Sequence, residues 1–197
     1  MSAPTRRPHV PLFAAALVAA LLQTAVLGFM VESRASILRS GKDVRVKTLP
    51  VDPRDLMRGD YVILSYGISS ISGSLVTGSA PAESGSAQLT VRLSPDAAGL
   101  WSATEASFGT LEHREGSVLV RTLPFEVYPS GDGRMPDTLF VTYGIERYYV
   151  PEGEGRVLEG ARNQEELEVA ARVSESGAIQ ISRILLRGEP VYDEPLY

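Results

Sequence analysis

The chain has 197 residues, enough for one domain plus an appendage. Its formal charge of −5 excludes the basic face that a nucleic-acid binder normally carries, and no nucleic-acid partner is expected. It has no cysteine, which rules out a disulfide framework and thiolate metal sites, although a protein outside the cytoplasm can do without disulfides. Only Lys42 and Lys47 are lysines among the nineteen basic residues.

Arg6 and Arg7 precede a segment from Val10 to Val31 without a charged residue, in which Gln23 and Thr24 are the only strongly polar members. About 20 apolar residues suffice to cross the hydrocarbon core. The paired arginines put residues 1–9 in the cytoplasm, 10–31 across the membrane as a single span, and the remainder outside the cytoplasm. A cleaved signal peptide with Val26 and Gly28 at the cleavage site is the rival reading, against which the length of the apolar run speaks. Residues 32–42 read as a linker with helical spacing that stops at Gly41.

From residue 43 to 197 the pattern is that of a β domain. Asp43–Pro50 alternates as a strand. Asp52 can cap a helical turn that starts at Pro53 and ends at Gly59, after which Tyr61-Val62-Ile63-Leu64-Ser65-Tyr66 suits a pleated surface. Ser69–Ala87 is rich in Gly, Ser and Ala and reads as a flexible surface loop or hairpin excursion. Strands are expected at Gln88–Leu93, Leu100–Phe108 and Ser117–Leu123, a polar loop at Pro129–Pro136, and a long β-type run at Thr138–Val150. A charged turn or short helix over Glu152–Gly160 precedes strands Glu166–Ser174 and Ala178–Leu186, joined at Glu175-Ser176-Gly177. Strands at this spacing without long intervening helices predict an antiparallel sandwich or partly open barrel behind one N-terminal transmembrane helix. Leu64-Ser65-Tyr66-Gly67-Ile68 echoes Val141-Thr142-Tyr143-Gly144-Ile145, so the two strands are candidates for pseudo-symmetric partners.

Gly59-Asp60-Tyr61-Val62-Ile63-Leu64-Ser65-Tyr66 resembles the pattern that names the GDYXXLXY family. The resemblance extends upstream over Val51–Arg58 and downstream over Tyr143–Gly153. It implies a bacterial protein with one N-terminal span in the inner membrane and a periplasmic domain, whose molecular activity is not established. It also implies a multi-pass membrane protein as the partner encoded nearby. Pro-x-x-Leu-x-x-Gly-Asp-x-Val is further similar to the nucleophile region of type I signal peptidases. There a serine precedes the Gly-Asp and a lysine base follows; here that position is Val51, and no lysine comes after Lys47.

Asp52, Asp55 and Asp60 lie close in sequence to Arg54 and Arg58. A cation site or acid/base pair is one reading, while helix capping and Asx-turn bonding explain the same residues without chemistry. Glu146, Arg147, Tyr148 and Tyr149 form a second polar-aromatic group, either a binding edge or one solvated strand face. The candidate surface therefore comprises Asp52, Pro53, Arg54, Asp55, Arg58, Gly59, Asp60, Tyr61, Leu64 and Tyr66 with Tyr143, Glu146, Arg147 and Tyr148. His9 and His113 stand alone, which does not make a zinc site, and no motif calls for a cofactor. Trp101 reads as a core or sheet residue. An interaction module for a membrane partner is the first expectation. An envelope hydrolase or small-ligand binder using the carboxylates of the 52–60 motif is the alternative, and it needs the two motifs to meet in space.

Overall fold

In a computed structural model, described over residues 12–51, 61–78, 81, 83–128, 136–151 and 153–195, one apolar helix leads into a domain of mostly antiparallel sheets. Helix α1 (Leu12–Ser40) is unbroken from the charge-free segment through the stretch read as a linker. It is long and apolar enough to cross a membrane, and the side chains of its apolar part are almost all exposed. Its last turns are held against the domain. Ala35 and Leu38 are buried, and Arg172 Nη1 donates to the carbonyls of Leu38 at 2.6 Å and Arg39 at 3.2 Å, satisfying helix-end acceptors that have no partner within the helix. Gly41 turns the chain directly into the sheet: a Cβ there would lie 2.5 Å from the Ile37 carbonyl oxygen, so only glycine fits.

The first half of the domain runs β1 (Lys42–Leu49), β2 (Tyr61–Ile63), β3 (Ser65–Tyr66), β4 (Ser70–Ser72), β5 (Val76–Thr77), β6 (Gly85–Ala87), β7 (Thr90–Pro95) and β8 (Trp101–Ser107). The second half runs β9 (Val118–Arg121), β10 (Phe125–Val127), β11 (Thr138–Phe140), β12 (Arg147–Tyr149), α2 (Gly155–Asn163), β13 (Leu167–Val173), β14 (Ile179–Leu186) and β15 (Glu189–Asp193). The largest sheet has the order β15-β14-β13-β1-β3 and a second has β5-β8-β7-β9, with three two-stranded pairs between. All pairings are antiparallel except β5 with β8. The described strands do not close into a barrel. Two expectations are corrected. Over its described residues Ser69–Ala87 is neither a plain loop nor a hairpin: it contains one single-turn 3-10 segment and three short strands, each paired with a strand outside the stretch. The run Thr138–Val150 is not one strand: it breaks around Gly144, whose φ of +86° suits glycine, leaving β11 and β12 on either side.

The five-residue echo belongs to a correspondence that spans the domain. Val44-Arg45-Val46-Lys47-Thr48-Leu49-Pro50 matches Val118-Leu119-Val120-Arg121-Thr122-Leu123-Pro124. Strand β1 of the first half pairs with β13 of the second, and β9 of the second pairs with β7 of the first. In register, Val46↔Val169 answers Val120↔Val91, and Val44↔Ala171 answers Val118↔Leu93. The hairpins β7–β8 and β13–β14 carry a bulge at equivalent places, between Arg92 and Leu93 and between Ala170 and Ala171. Their turns agree as well: Asp96 N–H donates to the Leu100 carbonyl and Ser174 N–H to the Ala178 carbonyl, both at 2.8 Å, with Gly99 and Gly177 at φ +77° and +84°. Between them, β2 pairs with β12 as β11 pairs with β4, so that Val62↔Tyr148 answers Leu139↔Ile71. The domain is an interleaved pair of similar halves related by a pseudo-twofold.

The interleaving follows from burial. Alternate residues of each strand are apolar, and neither half covers its own apolar face with its own strands. Val44, Val46, Leu167, Val169 and Ala171 join Leu89, Val91, Leu93, Val118 and Val120 in one hydrophobic core. Two buried threonines lock the exchange: Thr48 Oγ1 donates to the Leu167 carbonyl at 2.6 Å, and Thr122 Oγ1 accepts from Leu89 N–H at 3.0 Å. The halves differ in their insertions. Helix α2 separates β12 from β13, and its Arg162, buried beside β2, donates from Nη1 to the Ile63 carbonyl at 2.5 Å.

Candidate functional site

Seven of the fourteen candidate residues, Asp52, Pro53, Arg54, Asp55, Arg58, Gly59 and Asp60, lie outside the described residues, as does the helical turn expected there. The other seven are brought together around the pseudo-twofold. Strands β2 and β12 pair through Ile63↔Arg147, Val62↔Tyr148 and Tyr61↔Tyr149, so the two motifs that are far apart in sequence share one ladder.

At its centre two tyrosines bond reciprocally. Tyr66, fully buried, donates its hydroxyl to the Ile145 carbonyl at 2.6 Å, and Tyr143 donates its own to the Ile68 carbonyl at 2.7 Å. Burial, with a smaller contribution from the negative Glu146, raises both phenol pKa values well above the ordinary tyrosine value. Both are therefore neutral hydrogen-bond donors at physiological pH rather than proton-transfer groups. The same geometry continues in the backbone, where Leu64 N–H donates to the Glu146 carbonyl at 2.8 Å and Val141 N–H to the Ser69 carbonyl at 2.9 Å. Leu64 itself is core.

Glu146 is fixed by the turn it follows. Its carboxylate accepts from the Tyr143 N–H at 2.6 Å and the Gly144 N–H at 2.8 Å. That is a turn-capping role, and it occupies both oxygens. Tyr148 is buried, packs 6.3 Å from the Tyr192 ring, and has its phenol pushed up to about 12 by burial and by Glu194 and Asp193. Tyr61 meets Tyr149 edge-on at 5.9 Å, and the Arg147 guanidinium lies 5.7 Å over the Tyr61 ring. Arg147 and Tyr149 are exposed. Leu64, Tyr66, Tyr143, Glu146 and Tyr148 thus hold the fold, while Arg147, Tyr149 and the outer edge of Tyr61 are available for binding.

Arg147, Tyr148 and Tyr149 line a cavity of about 270 Å³ with Arg34, Gln180 and Glu194. Reading the sequence missed Arg34 and Gln180. Arg34 is the first cation after the apolar segment, and that position was the signal it offered. Gln180 sits in an alternating strand with nothing to mark it. Elsewhere, His113 is exposed in the irregular stretch before the Glu115-Gly116 turn, and Trp101 is a half-buried sheet residue with the Lys42 ammonium 5.7 Å over its ring. Among the described residues no group of three or more His, Asp or Glu is placed to hold a metal ion.

One helix long and apolar enough to span a bilayer, its last turns packed on a pseudo-symmetric β domain whose two motifs meet on one ladder, defines the class of protein. The family model for the GDYXXLXY protein matches residues 23–184, and the chain belongs to that family. No curated protein and no solved structure matches it.

Proposed function

We propose that this protein is a single-pass bacterial inner-membrane protein that serves as an accessory or interaction module for a multi-pass membrane partner. Residues 1–9 lie in the cytoplasm, 10–31 span the bilayer, and 43–197 form the periplasmic domain. The observation that carries this reading is α1: among the described residues nothing covers its apolar side chains, while its last turns are bound to the sheet through Ala35, Leu38 and Arg172. A hydrophobic surface of that length suits the core of a bilayer, and the contacts of its last turns with the sheet would keep the domain close above it. Crosslinking of tagged full-length protein in native membranes, with residues 1–42 alone as control, tests the reading. A stoichiometric multi-pass protein captured by the full chain and not by the control is expected. Capture of nothing, or equal capture by the control, overturns it.

The pairing of β2 with β12 favours one alternative, an envelope hydrolase or small-ligand binder using carboxylates of the 52–60 motif. That pairing puts the residue next to Asp60 on the same ladder as Arg147. Glu146 is not available to such a site, because its carboxylate holds the Tyr143–Gly144 turn.

A further inference from the structure

The pseudo-twofold supplies an internal control for what the fold requires. At equivalent places of the two ladders the first half carries Ser70, Ser72 and Ser102, and the second carries Arg147, Tyr149 and Gln180. Both sets sit in matching registers, with Ser70, Ser72, Arg147 and Tyr149 all exposed. Serine satisfies the backbone there, so neither guanidinium, phenol nor amide is needed to build the sheet.

The three second-half residues converge on the cavity of about 270 Å³ and are joined there by Arg34 from α1. Among the described residues neither Arg34 nor Arg147 forms an ion pair, and the carboxylate on the rim, Glu194, has an interaction of its own. The Tyr61 ring beneath Arg147 orients its guanidinium without neutralising it. Two guanidiniums against the single carboxylate of Glu194 leave the lining net positive, with neutral donors beside them, and the planar fork of arginine fits phosphate oxygens in particular. Position narrows the source. Arg34 comes three residues after Val31, about 4.5 Å further along the helix axis. The headgroup layer on one side of a bilayer is roughly 5–8 Å deep.

We propose that this cavity binds a phosphate-bearing anion, with Arg34 and Arg147 clasping the phosphate and Gln180 and Tyr149 donating beside it, and that the headgroup of an anionic phospholipid is what fills it. The lipid assignment rests on α1 spanning the membrane.

The test is native mass spectrometry of the full-length protein in neutral detergent. It is titrated in separate arms with phosphatidylglycerol, phosphatidylcholine and inorganic phosphate. Phosphatidylglycerol is expected to be retained about tenfold or more over phosphatidylcholine, and Arg34→Gln with Arg147→Ser to abolish that preference, since each charged hydrogen bond is a substantial part of the affinity. Arg147→Ser installs the residue its twin position already carries, so the fold persists. Arg114→Gln with Arg121→Gln, both exposed and outside the cavity lining, removes the same two charges and controls for net charge. Binding of inorganic phosphate as tight as that of phosphatidylglycerol, lost in the same variant, supports the site and assigns it to a soluble phosphate. Equal retention of the two lipids with no phosphate binding overturns the site, as does an unchanged preference in the folded double variant. Alkaline-carbonate extraction of native membranes keeps the two readings apart. Release of the protein defeats the membrane anchor, whereas retention without a lipid preference defeats the cavity alone.

Discussion

The two halves of the β domain share register, bulge and hairpin turn, yet they differ in what they show to solvent. Val44 and Val118, Val46 and Val120, Leu167 and Leu89, and Tyr66 and Tyr143 occupy equivalent buried places. Outside the core the likeness stops. Arg147 stands where the other half has Ser70, and α2 occupies the gap that the other half fills with β5 and β6. Packing fixes residue type tightly inside and weakly outside, so resemblance between the halves marks what the fold needs. Divergence marks what it leaves free for binding. By that standard the reciprocal tyrosines are architecture, and the arginine–tyrosine edge of the second half is the surface that the fold leaves free to vary.

If the halves are interleaved equivalents, twin substitutions in the core should have twin effects on one transition. Ile68 and Ile145 are both buried, at 2% and 3% exposure, one from each half. Ile68→Ala and Ile145→Ala should each destabilise by about 2–5 kcal/mol, as buried aliphatic truncations do. Urea unfolding of the detergent-solubilised full chain should show a single transition shifted alike in both variants. A biphasic curve, with one phase moved by one variant and the second phase by the other, would break the comparison by showing two independently folding halves.

The tyrosines sharpen it at smaller magnitude. Tyr66→Phe and Tyr143→Phe each leave one buried carbonyl, of Ile145 and Ile68 respectively, without its donor. The cost of such an orphaned group is about 1–3 kcal/mol. The pH dependence follows from the raised pKa values. In the unfolded chain these phenols ionise near pH 10, whereas in the folded chain they remain neutral to higher pH. Their contribution is therefore fully present below about pH 10 and is lost as pH rises above it. Melting midpoints across the alkaline range should fall less steeply in the Tyr66→Phe, Tyr143→Phe double variant than in the parent. An unchanged slope would mean the two hydroxyls are not the buried donors described.

Much of this architecture is legible in the sequence, because local chemistry dictates it. Gly41 ends a helix where no larger residue fits, Gly177 makes a hairpin turn, and the short echo around Tyr66 and Tyr143 points to the pseudo-twofold. The wider duplication is hidden for a physical reason. Valine, leucine and alanine replace one another freely in a core, as Leu93 and Ala171 do, and insertions of different kinds spoil the spacing between matching strands. The break at Gly144 escapes notice because apolar alternation continues on both sides of it. The final strand, β15, carries Pro190 and charged ends that mask its edge pairing with β14. The cavity is the least legible feature, since Arg34, Arg147 and Gln180 meet only after α1 has been laid against β13 and β14.

The smallest difference between the halves tests the rule most sharply. Glu146 and Ser69 are equivalent, but the Glu146 carboxylate receives two turn N–H groups, whereas the Ser69 hydroxyl is buried with no partner among the described residues. Gly144 beside Glu146 takes positive φ, and its twin Gly67 does not. The second half has thus acquired a tighter turn and the carboxylate that stabilises it, and this turn delivers Arg147 to the cavity. Glu146→Gln keeps one acceptor and loses the charge, so it should cost about 1 kcal/mol, a low figure because the site is partly solvated. Ser69→Ala removes an unpartnered hydroxyl and should change stability by no more than about 0.5 kcal/mol in either direction. Thermal unfolding of the two single variants beside the parent measures both. Equal losses would show that the two turns still have the same requirements, and that the divergence ascribed to function begins only at Arg147.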